Sequence, residues 1–306
     1  MKHVFILNPA AGKSDRTAQF SETIKRACEA RKLDYEICVS KAPGDCKRLA
    51  RQAAEQGDEV RLYACGGDGT LNEVVCGMAG FPNAAVTHYP AGSGNDSIKI
   101  FSDPAPFFDL ERLLDADETR FDLIRCNDTY CSNILSVGLD AKIGVDVARF
   151  KRLPLVSGKG AYILSILANI FSGRHAHYIV ELNGARIDAE HTLICVCNGR
   201  WYGGGFNPVP DAEPDDGLLD VLLVTKVSLL QIAAVIGTYQ SGGYRKLPHL
   251  IRHEQCSALR IVCDEPSVIN IDGEAIYAQT LDISLAPKAL RFFYPKGLCY
   301  RAAADF

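Results

Sequence analysis

The sequence predicts an α/β N-terminal domain, a parallel sheet with helices on both faces, followed by a C-terminal antiparallel β-sandwich domain. Two patterns predict this division. Short apolar runs alternate with helical patterns over roughly the first 120 residues. From about Cys126 onward, short alternating strands are separated by hairpin turns. The length of 306 residues also suits two domains. We expect 1–124 to form the first domain and 125–294 the second, with the tail 295–306 packed back on the first.

The elements of the first domain follow from its apolar periodicity. The predicted strands are Val4–Leu7, Tyr35–Val39, Val60–Ala64 and Ala85–Tyr89. The predicted helices are Ser14–Arg31, Gly44–Gln56 and Gly69–Met78. In such sheets ligands bind beyond the carboxyl ends of the strands. Three loops rich in Gly, Asn or Asp follow those ends, at 8–13, 66–70 and 92–96. The sequence therefore predicts a ligand at this edge.

The second domain shows the alternation of half-buried strands. The predicted strands are Tyr178–Leu182, Thr192–Cys197, Leu219–Val224, Leu259–Val262, Val268–Ile271 and Leu281–Leu285. The dipeptides Asn183-Gly184 and Asp272-Gly273 predict hairpin turns. Helical patterns occupy Ala161–Phe171 and Leu229–Tyr239. These features favour a sandwich or barrel-like domain, and a cleft between the two domains is the natural place for a substrate.

Composition excludes several classes of protein. A net charge of −4 argues against a nucleic-acid binder. The longest apolar stretches, Tyr162–Phe171 and Leu229–Ile236, are too short to span a bilayer, and the apolar run before Asn8 is too short for a signal peptide. We expect a cytoplasmic protein. Its twelve cysteines include no C-x-x-C pair, so we expect reduced, mostly buried thiols, with Cys195 and Cys197 on one face of a strand.

The most informative segment is Gly66-Gly67-Asp68-Gly69, where an apolar run breaks and resumes as a helix. A helix N-terminus offers unpaired N–H groups, and glycine lets an anion approach closely, so a phosphate fits here. Asp68 would repel a phosphate unless it contacts a metal, a metal-bound water or a sugar hydroxyl. The segment thus indicates a nucleotide with a cation. The alternative is a simple Gly/Asp turn between strand and helix.

Two familiar phosphate motifs are incomplete. Gly12-Lys13-Ser14 resembles the end of a P-loop, but Leu7 stands where that motif needs glycine. Gly92-Ser93-Gly94 begins like a dinucleotide fingerprint, but Ser97 occupies the third glycine position. The nucleotide site must therefore belong to another class.

The motifs that remain are Asn8–Lys13, Gly66–Glu73, Pro90–Asp96, Pro214–Asp220 and Ile271–Glu274. In this order and spacing they resemble the diacylglycerol kinase catalytic domain of the bacterial lipid kinase family, which also includes sphingosine-type kinases. The resemblance spans essentially the whole chain and implies a fold of the GGDGT kinase type. Ala11, Ser93 and Lys99 stand where the family usually has serine, threonine and arginine. These departures bear on substrate preference more than on activity.

The resemblance implies an ATP site in the first domain. Its expected residues are Asn8, Lys13, Ser40, Gly66, Gly67, Asp68, Gly69, Thr70, Leu71, Asn72, Ser93 and Asn95. Lys13 would add a point charge for phosphate oxygens, although a solvated loop lysine is the alternative. Asp68 and Asp96 would organise the catalytic magnesium and its waters. The alternative for Asn95-Asp96 is an N-cap of the following helix.

The resemblance also implies two acidic sites in the second domain. Asp216, with backbone carbonyls near Glu213 and Leu218, would hold an additional magnesium; an exposed acidic loop is the alternative. Glu274 would be the general base that accepts the proton of the lipid hydroxyl, and by itself it would be an ordinary hairpin residue. With Asp68, Glu274 completes the expected catalytic pair.

The implied reaction transfers the γ-phosphoryl group of ATP to a lipid hydroxyl, as in diacylglycerol, with magnesium. The cations and apolar residues of Arg149–Val156 could rest on an anionic bilayer, giving transient peripheral contact with the membrane that holds the lipid substrate; a solvated charge cluster is the alternative. A homodimer through edge strands is also open. Two rival functions remain: a NAD kinase-like or phosphofructokinase-like kinase of a polar metabolite, and a catalytically silent lipid- or nucleotide-binding regulator.

Overall fold

The computed structural model of the protein describes residues 1–12, 14–92, 94–139, 141 and 175–301. Several predicted features lie outside these residues: Lys13, Ser93, the basic patch Arg149–Val156, and the stretch Ala161–Phe171 with its apolar run from Tyr162. The two-part architecture that the sequence predicts is confirmed, with an N-terminal α/β half and a C-terminal β-rich half.

Four strands of the first half pair in parallel, in the order β2–β1–β3–β4. They are β1 (Lys2–Leu7), β2 (Tyr35–Val39), β3 (Val60–Gly66) and β4 (Ala84–Pro90). The register aligns their carboxyl ends, since Leu7 lies opposite both Val39 and Cys65, and Gly66 lies opposite Pro90. The chain leaves β1 toward β2 on one side and reaches β3 on the other. Such a reversal opens a crevice between the loops after β1 and β3.

The helices of the first half are α1 (Thr17–Ala30), α2 (Asp45–Ala54), α3 (Asp68–Met78) and α4 (Leu110–Leu114), with short 3-10 helices at Asp96–Ile100 and Ala105–Phe108. Packing of α2 against α3 includes a polar cap. The Glu73 carboxylate accepts from the backbone N–H groups of Gly44 and Cys46, each at 3.0 Å. A negative charge at a helix N-terminus is favourable, so Glu73 serves the fold.

The second half pairs its strands antiparallel. They are β5 (Ala116–Cys126), β6 (Thr129–Cys131), β7 (Ile134–Gly138), β8 (Ala176–Leu182), β9 (Ala185–Cys197), β10 (Leu219–Thr225), β11 (Ile251–Cys256), β12 (Ala258–Ile271) and β13 (Glu274–Pro295). Helix α5 (Leu229–Gln240) and a 3-10 helix (Gly243–Lys246) follow β10. Both β7 and β8 lie between β9 and β12, at opposite ends of those long strands, and an apolar core fills the space they enclose.

Strands β5 and β13 pass from one core to the other. The outer part of β13 pairs with β5, and Phe292 lies opposite Val86 of β4 in parallel register. Leu290, Phe292 and Phe293 are buried in the first core. The expected boundary at 124/125 thus falls inside β5. Beyond β13, Tyr300 packs against aromatic rings of the first half, while 302–306 lie outside the described residues.

The hairpin turns form where the dipeptides predict them. Both residues of Asn183-Gly184 and of Asp272-Gly273 have positive φ, as type I′ turns require. The predicted strands Leu259–Val262 and Val268–Ile271 are corrected to the single strand β12, which shifts register between Val262 and Ser267. Strands β5, β6, β7 and β11 were not predicted, and β13 is far longer than Leu281–Leu285.

All twelve cysteines are free thiols and most are buried. Cys195 and Cys197 are buried on the same face of β9, with their Sγ atoms 3.5 Å apart. Among the residues that the structure describes, no helix is long and apolar enough to cross a membrane.

Candidate active site

The loops at the carboxyl edge of the parallel strands are tied to one another. Asn8, just after β1, donates from Nδ2 to Thr70 Oγ1 at 3.0 Å and accepts the N–H of Ala10. Ser40, just after β2, donates its backbone N–H to the Leu7 carbonyl at 2.9 Å. The predicted residues Asn8, Ser40 and Thr70 are thereby brought to one edge of the sheet.

Helix α3 begins at this edge without a side-chain cap from any described residue. A Cβ on Gly69 would meet no other atom within 4 Å, so the first turn of α3 is open on this side. Glycine is required at Gly66, because a Cβ there would lie 2.2 Å from Thr70 Oγ1. The side chains of Leu71 and Asn72 are buried, so these two predicted residues offer the site only their backbone.

Two of the loops pack backbone against backbone. A Cβ on Gly92 would come within 2.6 Å of the Gly67 Cα atom. Asn95 adopts a left-handed φ of 47° and donates from Nδ2 to the Gly92 carbonyl at 3.0 Å. It therefore stabilises its own loop instead of capping the 3-10 helix that follows. Its buried Oδ1 has no hydrogen-bond partner among the described residues, which leaves an acceptor free at the site.

A buried histidine joins the glycine loop to the loop after β4. His88 Nε2 lies 2.9 Å from the Gly66 carbonyl, which only accepts, so Nε2 carries the proton. Nδ1 then accepts from Ser97 Oγ at 2.8 Å, and the Ser97 N–H donates to Asp68 Oδ1 at 3.1 Å. Burial lowers the pKa of His88, which keeps the ring neutral. This ring of contacts orients Asp68, and sequence reasoning missed His88 and Ser97.

The carboxylates of Asp68 and Asp96 both lie beside Gly94. A Cβ on Gly94 would stand 3.0 Å from Asp68 Oδ2 and 3.6 Å from Asp96 Oδ2, so a side chain at this position would crowd the two carboxylates. Burial and then the charge of Asp68 raise the pKa of Asp96. Lys99 partly compensates by pairing with Asp96 Oδ1. Two crowded carboxylates of this kind fit a divalent cation.

A glycine-rich loop of the second half closes over these carboxylates. Gly203, Gly204 and Gly205 all have positive φ, and the Gly204 N–H donates to Asp96 Oδ2 at 2.7 Å. Lys99 lies over the ring of Trp201, 5.7 Å from its centroid. Sequence reasoning missed this loop, although three consecutive glycines were the available signal. Through this loop, the second half directly contacts the Asp96 carboxylate of the first half.

The acidic loop of the second half is mostly neutralised. Asp211 pairs with Arg245, Glu213 with the buried Arg200 and with Arg301, and Asp215 with Arg301. Asp216 contacts no cation among the described residues, and its Oδ1 accepts the Leu218 N–H at 2.9 Å. Burial and nearby carboxylates raise its pKa. The Glu213 carboxylate is thus committed to arginines, and only its backbone could serve a cation at Asp216.

Glu274 stands next to an anchoring aspartate. Asp272 accepts hydrogen bonds from the N–H groups of Ser132, Asn133 and Ile134 and from Ser132 Oγ. Glu274 begins β13 and is solvent-accessible. Partial desolvation, then the charges of Glu73 and Asp272, raise its pKa. Glu73 lies on α3, the helix that starts at Asp68. Glu274 therefore lies close enough to α3 for its pKa to respond to the charge of Glu73.

Within residues 1–12, 14–92, 94–139, 141 and 175–301, no group of three or more His, Cys, Asp or Glu side chains is close enough to hold a metal ion. A cation between Asp68 and Asp96 would therefore take further oxygens from water or phosphate, as magnesium commonly does. At Asp216 it would need backbone carbonyls.

Comparisons with known proteins relate each half of the chain to a known domain family. The diacylglycerol kinase catalytic domain matches residues 2–126, and the YegS C-terminal NAD kinase beta sandwich-like domain matches 133–294. The chain is 29% identical over 297 residues to a Xanthomonas oryzae pv. oryzae protein named "Probable lipid kinase YegS-like", covering 93% of this chain and 94% of the relative. A Pseudomonas aeruginosa protein of the same name is 28% identical over 281 residues, covering 90% and 91%.

The fold is also similar to a solved structure. The crystal structure of a diacylglycerol kinase from Bacillus anthracis str. Sterne superposes with a TM-score of 0.69 at 19% identity, covering 97% of this chain and 98% of that one. At this level of identity the likeness concerns the fold alone.

Proposed function

The chain belongs to the lipid kinases that join a diacylglycerol kinase catalytic domain to a YegS-type C-terminal domain, and from this premise we propose that it uses ATP and magnesium to phosphorylate the hydroxyl of a lipid alcohol such as diacylglycerol. The observation that carries the proposal is the pair Asp68 and Asp96 beside Gly94, at a helix start that no described side chain caps. Helix N–H groups bind phosphate oxygens, and the two carboxylates bind the cation that accompanies them.

Each part of the site has a task in this reaction. The N–H groups of the first turn of α3 orient the phosphates, and His88 with Ser97 fixes Asp68. Glu274 accepts the proton of the attacking hydroxyl on its carboxylate, and its raised pKa makes that carboxylate a stronger base. Magnesium, held by Asp68 and Asp96, would neutralise charge on the phosphates. Asp216 would hold an additional cation away from this centre.

An apolar cavity in the second half supports a lipid acceptor. It has a volume of about 90 Å³ and lies between α5 and strands β9 and β10, lined by Leu193, Val224, Val235, Ile236, Tyr239 and Ile251 among others. Tyr202 and Phe206 also line it, and Gly204, between them, donates to Asp96. One short loop thus joins the cavity to the carboxylates. We propose that an acyl chain occupies this cavity, which places the hydroxyl of the lipid beside Asp96.

The test is transfer of label from γ-labelled ATP to mixed acceptors. A total lipid extract, diacylglycerol, a sphingoid base, NAD and sugar phosphates are offered in parallel, and products are identified by mass spectrometry. We expect label in the lipid phase, lost on chelation of magnesium and restored when it is added back. Label confined to NAD or a sugar phosphate would favour the kinase of a polar metabolite. Binding of ATP without transfer to any acceptor would favour a silent regulator.

A further inference from the structure

Helix α5 is rich in apolar residues yet is little buried. Its sequence is LLQIAAVIGTYQ. Leu230 is 83% exposed, and Ala233 and Ala234 are exposed beside it. Ile232 and Val235 are only half-buried, on the face that lines the apolar cavity. A helix this rich in apolar residues is normally enclosed by a protein core or by lipid, and among the described residues none covers its outer face at Leu230.

The length of α5 limits what can cover it. Its 12 residues fall well short of the roughly 20 that span a bilayer. A helix of this kind can instead lie in the membrane interface, with its apolar side chains at the boundary between headgroups and acyl chains.

The charge of the segment around α5 identifies the kind of surface. The α5 surface, residues 226–252, contains Lys226, Arg245, Lys246 and Arg252 and no Asp or Glu, in a chain whose net charge is −4. Three of these cations are paired with the carboxylates of Glu190, Asp211 and Glu254. The fourth, Lys246, is exposed and has no ion pair among the described residues, and such a cation beside an apolar helix favours anionic lipid headgroups.

The α5 surface is continuous with the phosphoryl-transfer site. At the end of α5, Gln240 accepts the Asn207 N–H at 3.0 Å and donates from Nε2 to the Gly205 carbonyl at 3.3 Å. The adjacent Gly204 donates to Asp96. A lipid that leaves a bilayer at α5 would therefore find the cavity on the inner side of the helix and the carboxylates at its carboxyl end.

We propose that the α5 surface rests on an anionic bilayer, so that the lipid acceptor passes from the membrane into the cavity beneath α5. The proposal rests on the function proposed above, since it concerns delivery of the acceptor to that site. Leu230 is the residue that enters the interface, and Lys246 contacts the headgroups.

The experiment compares vesicle binding of the full chain with that of two matched variants. Leu230→Glu places a charge on the α5 surface, whereas Phe108→Glu places one on another exposed apolar residue, 53% exposed, in the first half. Co-sedimentation uses vesicles of phosphatidylcholine alone and vesicles that also contain phosphatidylglycerol. We expect Leu230→Glu to weaken binding to the anionic vesicles by about tenfold or more, the scale set by burial of one leucine side chain. Phe108→Glu should bind like the parent chain.

A second pair of readouts separates this inference from the proposed function. On water-soluble short-chain diacylglycerol, Leu230→Glu should turn over like the parent, while on vesicle-bound diacylglycerol its rate should fall with its binding. Lys246→Glu should lose the preference for anionic vesicles. Equal vesicle binding by Leu230→Glu and the parent would overturn the inference, even if both phosphorylate short-chain diacylglycerol. Failure of the parent on every lipid, with vesicle binding intact, would overturn the proposed function instead. Leu230→Ser serves as the test variant if the charged one does not fold.

Discussion

The two acidic regions of the molecule differ in how far their carboxylates are already satisfied. In the acidic loop of the second half, Asp211, Glu213 and Asp215 all pair with arginines. At the carboxyl edge of the parallel strands, Asp68 receives one backbone N–H and has no ion pair among the described residues. Asp96 has Lys99 and Gly204, yet burial and Asp68 still raise its pKa. Density of acidic residues in the sequence is therefore a poor guide to chemistry, and unsatisfied charge is a better one.

Between these two acidic regions, the larger effect should come from Asp68, which has no ion pair among the described residues. We expect Asp68→Asn to lower kcat/KM by about 10³-fold and to abolish magnesium-dependent ATP binding, because a bound cation supplies several kcal/mol of charge stabilisation. Steady-state kinetics and calorimetric titration of ATP at several magnesium concentrations measure both effects.

The matched control lies in the loop whose carboxylates pair with arginines. Asp211→Asn removes a carboxylate whose side chain is 33% exposed and paired with Arg245 on the surface. Such pairs contribute about 0–1 kcal/mol, so activity should stay close to that of the parent. If Asp211→Asn were as damaging as Asp68→Asn, satisfaction of charge would not distinguish the two regions.

Asp272 differs from both regions, because its carboxylate accepts four hydrogen bonds from neighbouring groups. It holds the Ser132–Ile134 segment through four hydrogen bonds, so its role is structural. We expect Asp272→Ala to lower the free energy of unfolding by about 1–3 kcal/mol, the cost of leaving such donors unpaired. Urea unfolding checks this, with the exposed Asp128→Ala as control. No loss of stability would show that the four contacts are dispensable.

The next prediction concerns His88, which orients Asp68 through its contacts with Gly66 and Ser97. His88→Phe keeps a ring in β4 but removes the contacts to Gly66 and Ser97. The free energy of unfolding should fall by about 1–3 kcal/mol, because the half-buried Ser97 Oγ loses its partner and the buried Gly66 carbonyl loses one of its donors. His88→Phe should also lower the affinity for ATP, because the contacts that orient Asp68 are lost. Adding Ser97→Ala should restore much of the stability but not the affinity for ATP. Recovery of both together would mean that His88 serves packing alone.

The smallest effect concerns His177 on the surface of the second half. Its ring nitrogens lie 2.8 Å from Asp264 and 2.7 Å from Asp188, and these hydrogen bonds raise the pKa of His177. A raised histidine pKa contributes stability that is fully present below about pH 6.5 and is lost as pH rises through the value in the folded chain. At about pH 5.5 the parent should therefore unfold at a higher temperature than His177→Gln. The two unfolding temperatures should converge at higher pH, at about pH 9. A difference that grows with pH would contradict this sign.

The parts of the fold and site that could be predicted from sequence carry local signals. The glycine loop at Gly66–Gly69 shows itself by the break between an apolar strand and a helix, and Asp272-Gly273 by its turn chemistry. In contrast, the contact of Gly204 with Asp96 joins residues 108 positions apart. Such a pairing leaves no local pattern.

His88 and the full length of β13 were also not predicted, because both depend on contacts between residues far apart in the sequence. A single histidine in an apolar strand, as at His88, has no signature until its partners Gly66 and Ser97 are placed in space. Strand β13 runs for 22 residues because it serves both cores, so its buried face changes along its length and the regular alternation lapses. Roles that depend on Lys13 and Ser93 stay predictions.

The proposed reaction depends on both halves of the molecule: Glu274 of the second half accepts the proton of the lipid hydroxyl that attacks a phosphate held by the first half. The most direct test compares Glu274→Gln with the parent in two measurements: ATP affinity and single-turnover phosphoryl transfer to diacylglycerol. We expect nearly unchanged ATP affinity and a transfer rate lower by about 10²–10⁴-fold, the usual contribution of a general base. Transfer at the parent rate, or a loss of ATP affinity that accounts for the whole decrease, would contradict it.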